Sequence, residues 1–389
     1  MKHMAMRKFP VSERVRVSNS EVASPRSCTK EAGIVVITAV CVLTAIFTTF
    51  VVATSPIDPI PLVLPRHTIP WVRENRKLEC VEKLGEGLVL GPEDVVVARD
   101  GSLVVATRDG WVKKVWPRNG TVENWKRVGG YPCGLALGVH GEILVADPLQ
   151  GLLNVTDDDE VRCITSTAEG TPITFPDSVT VSGKGQIYFT DASTKHLLHF
   201  WHLDVLESRP HGRVLNFDPT TGRTTVLMKG LAFANGIALS PTEDFLVVCE
   251  SWKYRCVRYW LEGEFKGTLE TFIDNLPGLP DNIHLHAPSQ TFWLGLVGGR
   301  SWLTDLTLKS ALLKHFFAKF WHHVTPFNFE RGELIAINLH GQVIVSYQDP
   351  RGARFSFATG AVIQDNYLYI GSLTEPFLGR LNLDLQECT

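Results

Sequence analysis

Short runs of β-branched, aliphatic and aromatic residues alternate with turns rich in Gly, Pro, Asp and Asn along most of this chain. The stretch 229–263 shows the pattern whole. After Ala234-Asn235-Gly236, the runs Ile237–Leu239, Phe245–Cys249 and Cys256–Trp260 are separated by Ser240-Pro241 and by Glu250–Tyr254. Runs of this length and composition between turn residues predict antiparallel strands, and no helical period interrupts them. The same unit recurs. Gly91-Pro92-Glu93-Asp94 precedes VVVARDGSLVVAT, Tyr131-Pro132-Cys133-Gly134 precedes LALGVHGEILVAD, and Phe175-Pro176-Asp177-Ser178 precedes VTVSGKGQIYFTD. Phe233-Ala234-Asn235-Gly236, Leu279-Pro280-Asp281-Asn282 and Ala358-Thr359-Gly360 open three more copies. Six copies spaced about 40–60 residues apart, with one longer gap, match propeller blades rather than a β-sandwich. The predicted fold is all-β, a six-bladed β-propeller over roughly 77–389.

Two stretches break the pattern. Gly33–Thr54 carries no charge and follows a tail, 1–32, in which Lys and Arg outnumber Glu. It has the length to cross a hydrocarbon core of about 30 Å, and the basic flank predicts a cytosolic N-terminus with the propeller lumenal or extracellular. A cleaved signal peptide would have a shorter apolar run and a small-residue cleavage site. A transmembrane signal-anchor over 33–54 is therefore expected. The Pro-rich stretch 55–76 then reads as a stiff linker holding the propeller off the bilayer. The second break is 301–323, where Leu303, Leu306, Leu312, Leu313, Phe316, Phe317 and Phe320 recur at near-helical spacing among lysines. It predicts a helical insertion between blades five and six, packed on the propeller as a lid or lying at the membrane surface.

A formal net charge of −3, with 20% charged residues, gives no basic footprint for nucleic acid. A lumenal placement gives meaning to two sequons, at Asn119 and Asn154, with Asn119 in an evident loop. It also permits disulfides. Cys80 and Cys388 flank the propeller and are placed to staple its ring closure; Cys249 and Cys256, either side of a hairpin loop, are the alternative as a local bridge.

In a propeller the innermost strands line one axis, so equivalent turn positions converge there. Those positions carry Glu93, Asp177, Asn235, Asp281 and Asn282. Asp and Asn also serve turns for backbone reasons, but oxygen donors in the same register of several blades suit Ca²⁺. No cysteine or clustered histidine is counted among them, so zinc is not indicated.

Several motifs, Tyr188–Ser193, Arg209–Arg213, Phe233–Gly236, Arg258–Leu261, Leu276–Ile283 and 371–381, resemble the strictosidine synthase-like family, and most closely its membrane-anchored branch. The resemblance runs from about Gly85 to the C-terminus. The wider superfamily of paraoxonases, gluconolactonases and diisopropylfluorophosphatase implies an axial Ca²⁺ held by Glu93, Asp177, Asn235, Asp281 and Asn282. Position 177 departs, with Asp where that pattern has Asn. The catalytic Glu of true strictosidine synthases is also missing: Phe355–Gln364 has no carboxylate, and Thr359 lies nearest its place. Amine–aldehyde condensation, which needs a base there, is disfavoured. The reading that remains is a Ca²⁺-dependent hydrolase of small esters or lactones, with alkaloid-like compounds as a further substrate class. His284, His286 and His211 are its candidate bases, and an endomembrane or plasma-membrane location is expected. A non-catalytic binding propeller is the alternative. No Gly-x-Ser-x-Gly elbow marks a serine hydrolase.

Overall fold

A computed structural model of the chain describes residues 25–66, 73–158 and 161–385. It divides into two compact units, Met1–Ala53 and Thr54–Thr389. The first holds helix α1, Pro25–Ala53, whose apolar part, Lys30–Ala53, is 24 residues long. At 1.5 Å per residue that part spans about 36 Å, enough to cross a bilayer core.

The second unit contains six four-stranded antiparallel sheets. Blade one is built from Pro92–Val97, Leu103–Thr107, Trp111–Val115 and Val122–Arg127, and blades two to five repeat that order. The inner and middle strands are buried on both faces, because each blade is sandwiched between its neighbours: Leu103–Thr107 is buried throughout, whereas outermost Val122–Arg127 is largely open. This is why the middle strands read as unbroken apolar runs. Blade six is completed from the other end of the chain. Glu82–Leu84 pairs with Leu378–Asn382, with Glu82 opposite Arg380, and the Arg380 guanidinium also binds the Glu82 carboxylate. Pairing the first strand with the last sheet closes the ring between the two ends of the propeller. Cys80 is disulfide-bonded, while its expected partner Cys388 lies outside the described residues. Cys249 and Cys256 face each other across the second and third strands of blade four and form a disulfide. Asn119 is exposed in a turn; Asn154 lies in a strand, Gly151–Val155, and its side-chain oxygen is buried.

Two expectations need correcting. The helical segment falls inside blade five, between its second strand (Thr291–Gly299) and third (Asn328–Asn338), not between blades five and six. It is also two helices. Ser301 caps the first and Ser310 the second, each accepting from a backbone N–H three residues on. With α2 (Trp201–Glu207) on the blade-three insertion, these are α3 (Trp302–Lys309) and α4 (Ala311–Phe320). The Pro-rich segment, for its part, is not a free spacer. Ile57 and Leu64 are buried in the same core cluster as Leu308 and Phe317. The Ile60 N–H donates to the Glu207 carbonyl and the Leu62 N–H to the Leu308 carbonyl. Its apolar side chains gain more by burial here than an extended tether in water would allow.

Candidate functional site

Five of the six inner strands are irregular at the same point. Register shifts occur between Pro92 and Asp94, Pro176 and Val179, Ala234 and Ile237, Pro280 and Ile283, and Ala358 and Ala361. A bulge leaves its extra residue unpaired and re-aims its side chain. The residues so placed are Glu93, Asp177, Asn235, Asp281 with Asn282, and Thr359. The strands come very close beside these bulges. A Cβ added to Gly236 would stand 2.2 Å from the Asp281 carbonyl, and one on Gly134 2.5 Å from that of Asp177. Only glycine allows that approach.

A cavity of about 480 Å³ opens on this ring. Glu93, Cys133, Asp177, Asn235 and Asp281 form its polar end. Phe175, Trp201, Phe233, Trp252, Leu279 and Phe357 are among its apolar walls, and Arg108, Tyr131 and His199 also line it. The Trp252 ring packs on Phe233 at 4.3 Å between centroids, and its indole N–H donates to Asp204 at 2.8 Å. These two contacts fix one wall. Size and lining suit a small, largely apolar molecule with one polar group.

The electrostatics of the polar end are unusual. Glu93 Oε2, Asn235 Oδ1, Asp281 Oδ1 and Asn282 Oδ1 are buried and have no hydrogen-bond partner within the protein. Each such buried, unpaired group costs about 1–3 kcal/mol. Burial, then mutual repulsion with Asp281 and Asp177, holds the Glu93 carboxyl well above the usual range; burial and Asp281 do the same to Asp177. Asp281 is pushed up to about 7, chiefly by burial. Arg108 offsets only part of this at Glu93. Buried oxygens with excess negative charge and few donors are the donor set that a hard cation takes.

One member was missed. Cys133 occupies the blade-two turn, and its sulfur can lie within 4.8 Å of the ligand atoms of Glu93 and Asp177. The expectation that no cysteine stands at these positions is therefore wrong. The signal was present in the aligned motif Tyr131-Pro132-Cys133-Gly134, but a search for oxygen donors passes over sulfur. Asn282 stands beside the cavity rather than lining it, and donates to the Glu93 carbonyl at 3.3 Å.

None of the three expected bases reaches the cavity. His284 lies three residues beyond Asp281 along the strand, about 10 Å further on, and binds buried Asp94 at 2.6 Å. That contact and the charge of Asp94 outweigh burial and raise its pKa. His286 is further along, bonded to Ser289. His211 lies on the blade-three insertion against Glu207. The cavity's own histidine is His199, on the turn Leu198–Phe200 of that insertion, a loop residue that no strand periodicity marks.

Residues 177–264 match the strictosidine synthase family, and 73–115 its strictosidine synthase-like N-terminal family. A relative from Arabidopsis thaliana, Protein STRICTOSIDINE SYNTHASE-LIKE 6, is 38% identical over 86% of this chain and 90% of its own. This chain belongs to the strictosidine synthase-like family. Adipocyte plasma membrane-associated protein of Gallus gallus is 34% identical over 84% of each chain. Among solved structures, a gluconolactonase of Xanthomonas campestris superposes with a TM-score of 0.56 at 15% identity, covering 84% of this chain and 96% of that one. Regucalcin of Agrobacterium tumefaciens gives 0.50 at 14%, covering 75% and 90%. These neighbours establish the propeller fold for this strictosidine synthase-like chain. The apolar N-terminal helix and the plasma membrane-associated relatives agree with membrane association.

Proposed function

We propose that this chain is a membrane-anchored, Ca²⁺-dependent hydrolase of small lipophilic esters or lactones, with its propeller lumenal or extracellular. The observation that carries the reading is the set of unpartnered buried oxygens of Glu93, Asn235 and Asp281 at the end of an aromatic-walled cavity, with that of Asn282 beside it. With Asp177 they are hard oxygen donors of the kind Ca²⁺ takes, and Cys133 is the one soft atom beside them. When bound, the ion would polarise the substrate carbonyl and favour the charge that develops on its oxygen. The protein's own groups do the rest. Phe233, Trp252 and Phe175 hold the apolar part of the substrate and exclude water from it. Arg108, at the cavity, balances part of the carboxylate charge. His199 accepts the proton of the attacking water and returns it to the leaving oxygen as the acyl C–O bond breaks. No carboxylate stands at the blade-six bulge, where Thr359 is buried, which disfavours condensation chemistry that needs a base there. Fold similarity to a gluconolactonase, and to a regucalcin described as a calcium-binding protein, supports the same reading.

The test uses the purified full chain in detergent micelles with aryl esters and γ- and δ-lactones. Asn235→Ala and Asp281→Asn are expected to lower kcat/KM by about 10²–10³ with circular dichroism unchanged. His199→Gln is expected to lower kcat more than it raises KM. Turnover that both axial variants retain would overturn the proposal. Absence of turnover in the Ca²⁺-loaded wild type would leave a binding propeller.

A further inference from the structure

The insertion in blade three carries a second group of ligand-type side chains, outside the axial cavity. His196, Asp204 and His211 each bring one ligand atom within 4.8 Å of the other two. Glu207, one turn after Asp204 on α2, joins them: its Oε2 lies 2.8 Å from His196 Nε2 and 3.3 Å from His211 Nε2. Asp204 and Glu207 are fully buried, and His196 is only 7% exposed.

Charge bookkeeping leaves this group short of a cation. The two carboxylates bring two negative charges, and the Lys195 ammonium, 2.6 and 2.8 Å from the Glu207 oxygens, returns one positive. With both carboxylates ionised and both imidazoles neutral, as metal ligation requires, one negative charge remains. The carboxylates are also oriented from outside, as ligands usually are. Ser193 Oγ donates to Asp204 at 2.5 Å and the Trp252 indole at 2.8 Å, while the Asp58 N–H donates to Glu207 at 3.1 Å. Two imidazoles with two carboxylates select a borderline transition ion over Ca²⁺.

We propose that His196, His211, Asp204 and Glu207 form a second metal site, of the zinc type, that clasps the blade-three insertion onto the propeller. That insertion carries His199 and Trp201 to the cavity, and the shared Asp204–Trp252 bond ties the clasp to the cavity wall. The site is chemically distinct from the axial one. Its two histidines come from the loops on either side of α2 and its carboxylates from α2 itself, rather than from the strand bulges.

The experiment strips the full chain with chelator and titrates it with Co²⁺ and then Zn²⁺. Visible absorption reads coordination geometry, and equilibrium dialysis reads stoichiometry. All proteins carry Cys133→Ser, so that no axial thiolate contributes. The parent and the axial variant Glu93→Gln/Asp281→Asn are expected to bind about one Co²⁺ with tetrahedral-type bands, displaced by Zn²⁺. His211→Gln, at the protein's edge, and His196→Gln are expected to weaken that binding by at least the 10–100-fold typical of lost second-shell support. Co²⁺ spectra and stoichiometry unchanged in both histidine variants would overturn the proposal. So would loss of the bands in the axial variant alone. If His196→Gln unfolds the insertion, His211→Gln decides. Failure of this test leaves the hydrolase reading untouched, because the axial residues are not part of it.

Discussion

In the metal-free chain, Asp281→Asn should stabilise the propeller, and in the metal-loaded chain it should weaken it. Asp281 titrates near 7 in the fold against 3.8 for the ordinary side chain, mainly through burial. An acid with a raised folded pKa favours the folded state in its protonated form. Stability is therefore lost as pH rises from about 4 through 7, and the full penalty stands above that. Three pKa units correspond to about 4 kcal/mol, an upper bound for a group sharing its charge with Glu93 and Asp177. Asparagine removes that penalty. A cation removes it too, and adds binding free energy of about 2.7 kcal/mol at a hundredfold excess over its Kd. With an unfolding entropy near 0.7 kcal/mol/K for a domain of this size, that is a rise in Tm of about 4 °C. The assay is thermal unfolding of the full chain at pH 5 and pH 8, with chelator and with Ca²⁺. In chelator, wild-type Tm should fall from pH 5 to pH 8 and the variant's should fall less. In Ca²⁺ the wild type should gain at pH 8 and the variant should not. Identical pH slopes for wild type and variant in chelator would refute the claim that the axial carboxylates lack a counter-charge.

Three further outcomes follow from other parts of the molecule. Lys314 is buried under Ile60 and Ser208, and burial lowers its pKa from 10.5 to about 7. Between those values the unfolded chain binds more protons, so stability rises with pH. The advantage of Lys314→Met over wild type in denaturant unfolding should therefore shrink between pH 7 and pH 10, by at most about 4 kcal/mol; an unchanged difference would show the ammonium is not desolvated. Cys133→Ser should leave Ca²⁺ binding within a few-fold while weakening Cd²⁺ at the axial site by about tenfold or more, read by competition titration; equal loss of both ions would place the sulfur in a structural role. When the full chain is expressed through the secretory route, Asn119→Gln should abolish a glycosidase-sensitive mobility shift and Asn154→Gln should not, since Asn154 lies in a strand with its oxygen buried; a shift surviving in Asn119→Gln would contradict the assignment.

The propeller was legible because each blade repeats one local signal. A turn with Pro or Gly precedes an apolar strand, and the buried middle strands leave no polar alternation to confuse it. The helical insertion was misplaced for the opposite reason. The third and fourth strands of blade five, Asn328–Asn338 and Val343–Asp349, carry no turn motif, so linear spacing could not say which side of them the helices interrupt. The axial residues were found because the bulge puts the same register position of each blade on one axis. Cys133 stood in that register and was passed over for its element, not its place. The histidines were misjudged on reach: His284 and His286 share the strand of Asp281, but a strand advances about 3.3 Å per residue, which carries them away from the cavity. His199, Asp204 and Glu207 gave no signal at all, because an insertion of irregular loop and short helix brings its residues together only by folding.

Back-titration of the stripped protein tests Ca²⁺-dependent hydrolysis at the axial cavity. The chelated full chain, in micelles, receives Ca²⁺ in sub-stoichiometric steps while bound ion and lactone turnover are measured on the same samples. Turnover should be absent in chelator and rise in proportion to bound Ca²⁺, saturating at the first axial equivalent. Turnover that persists undiminished in the fully stripped protein, or a filled axial site with no turnover of any ester or lactone tried, would contradict it.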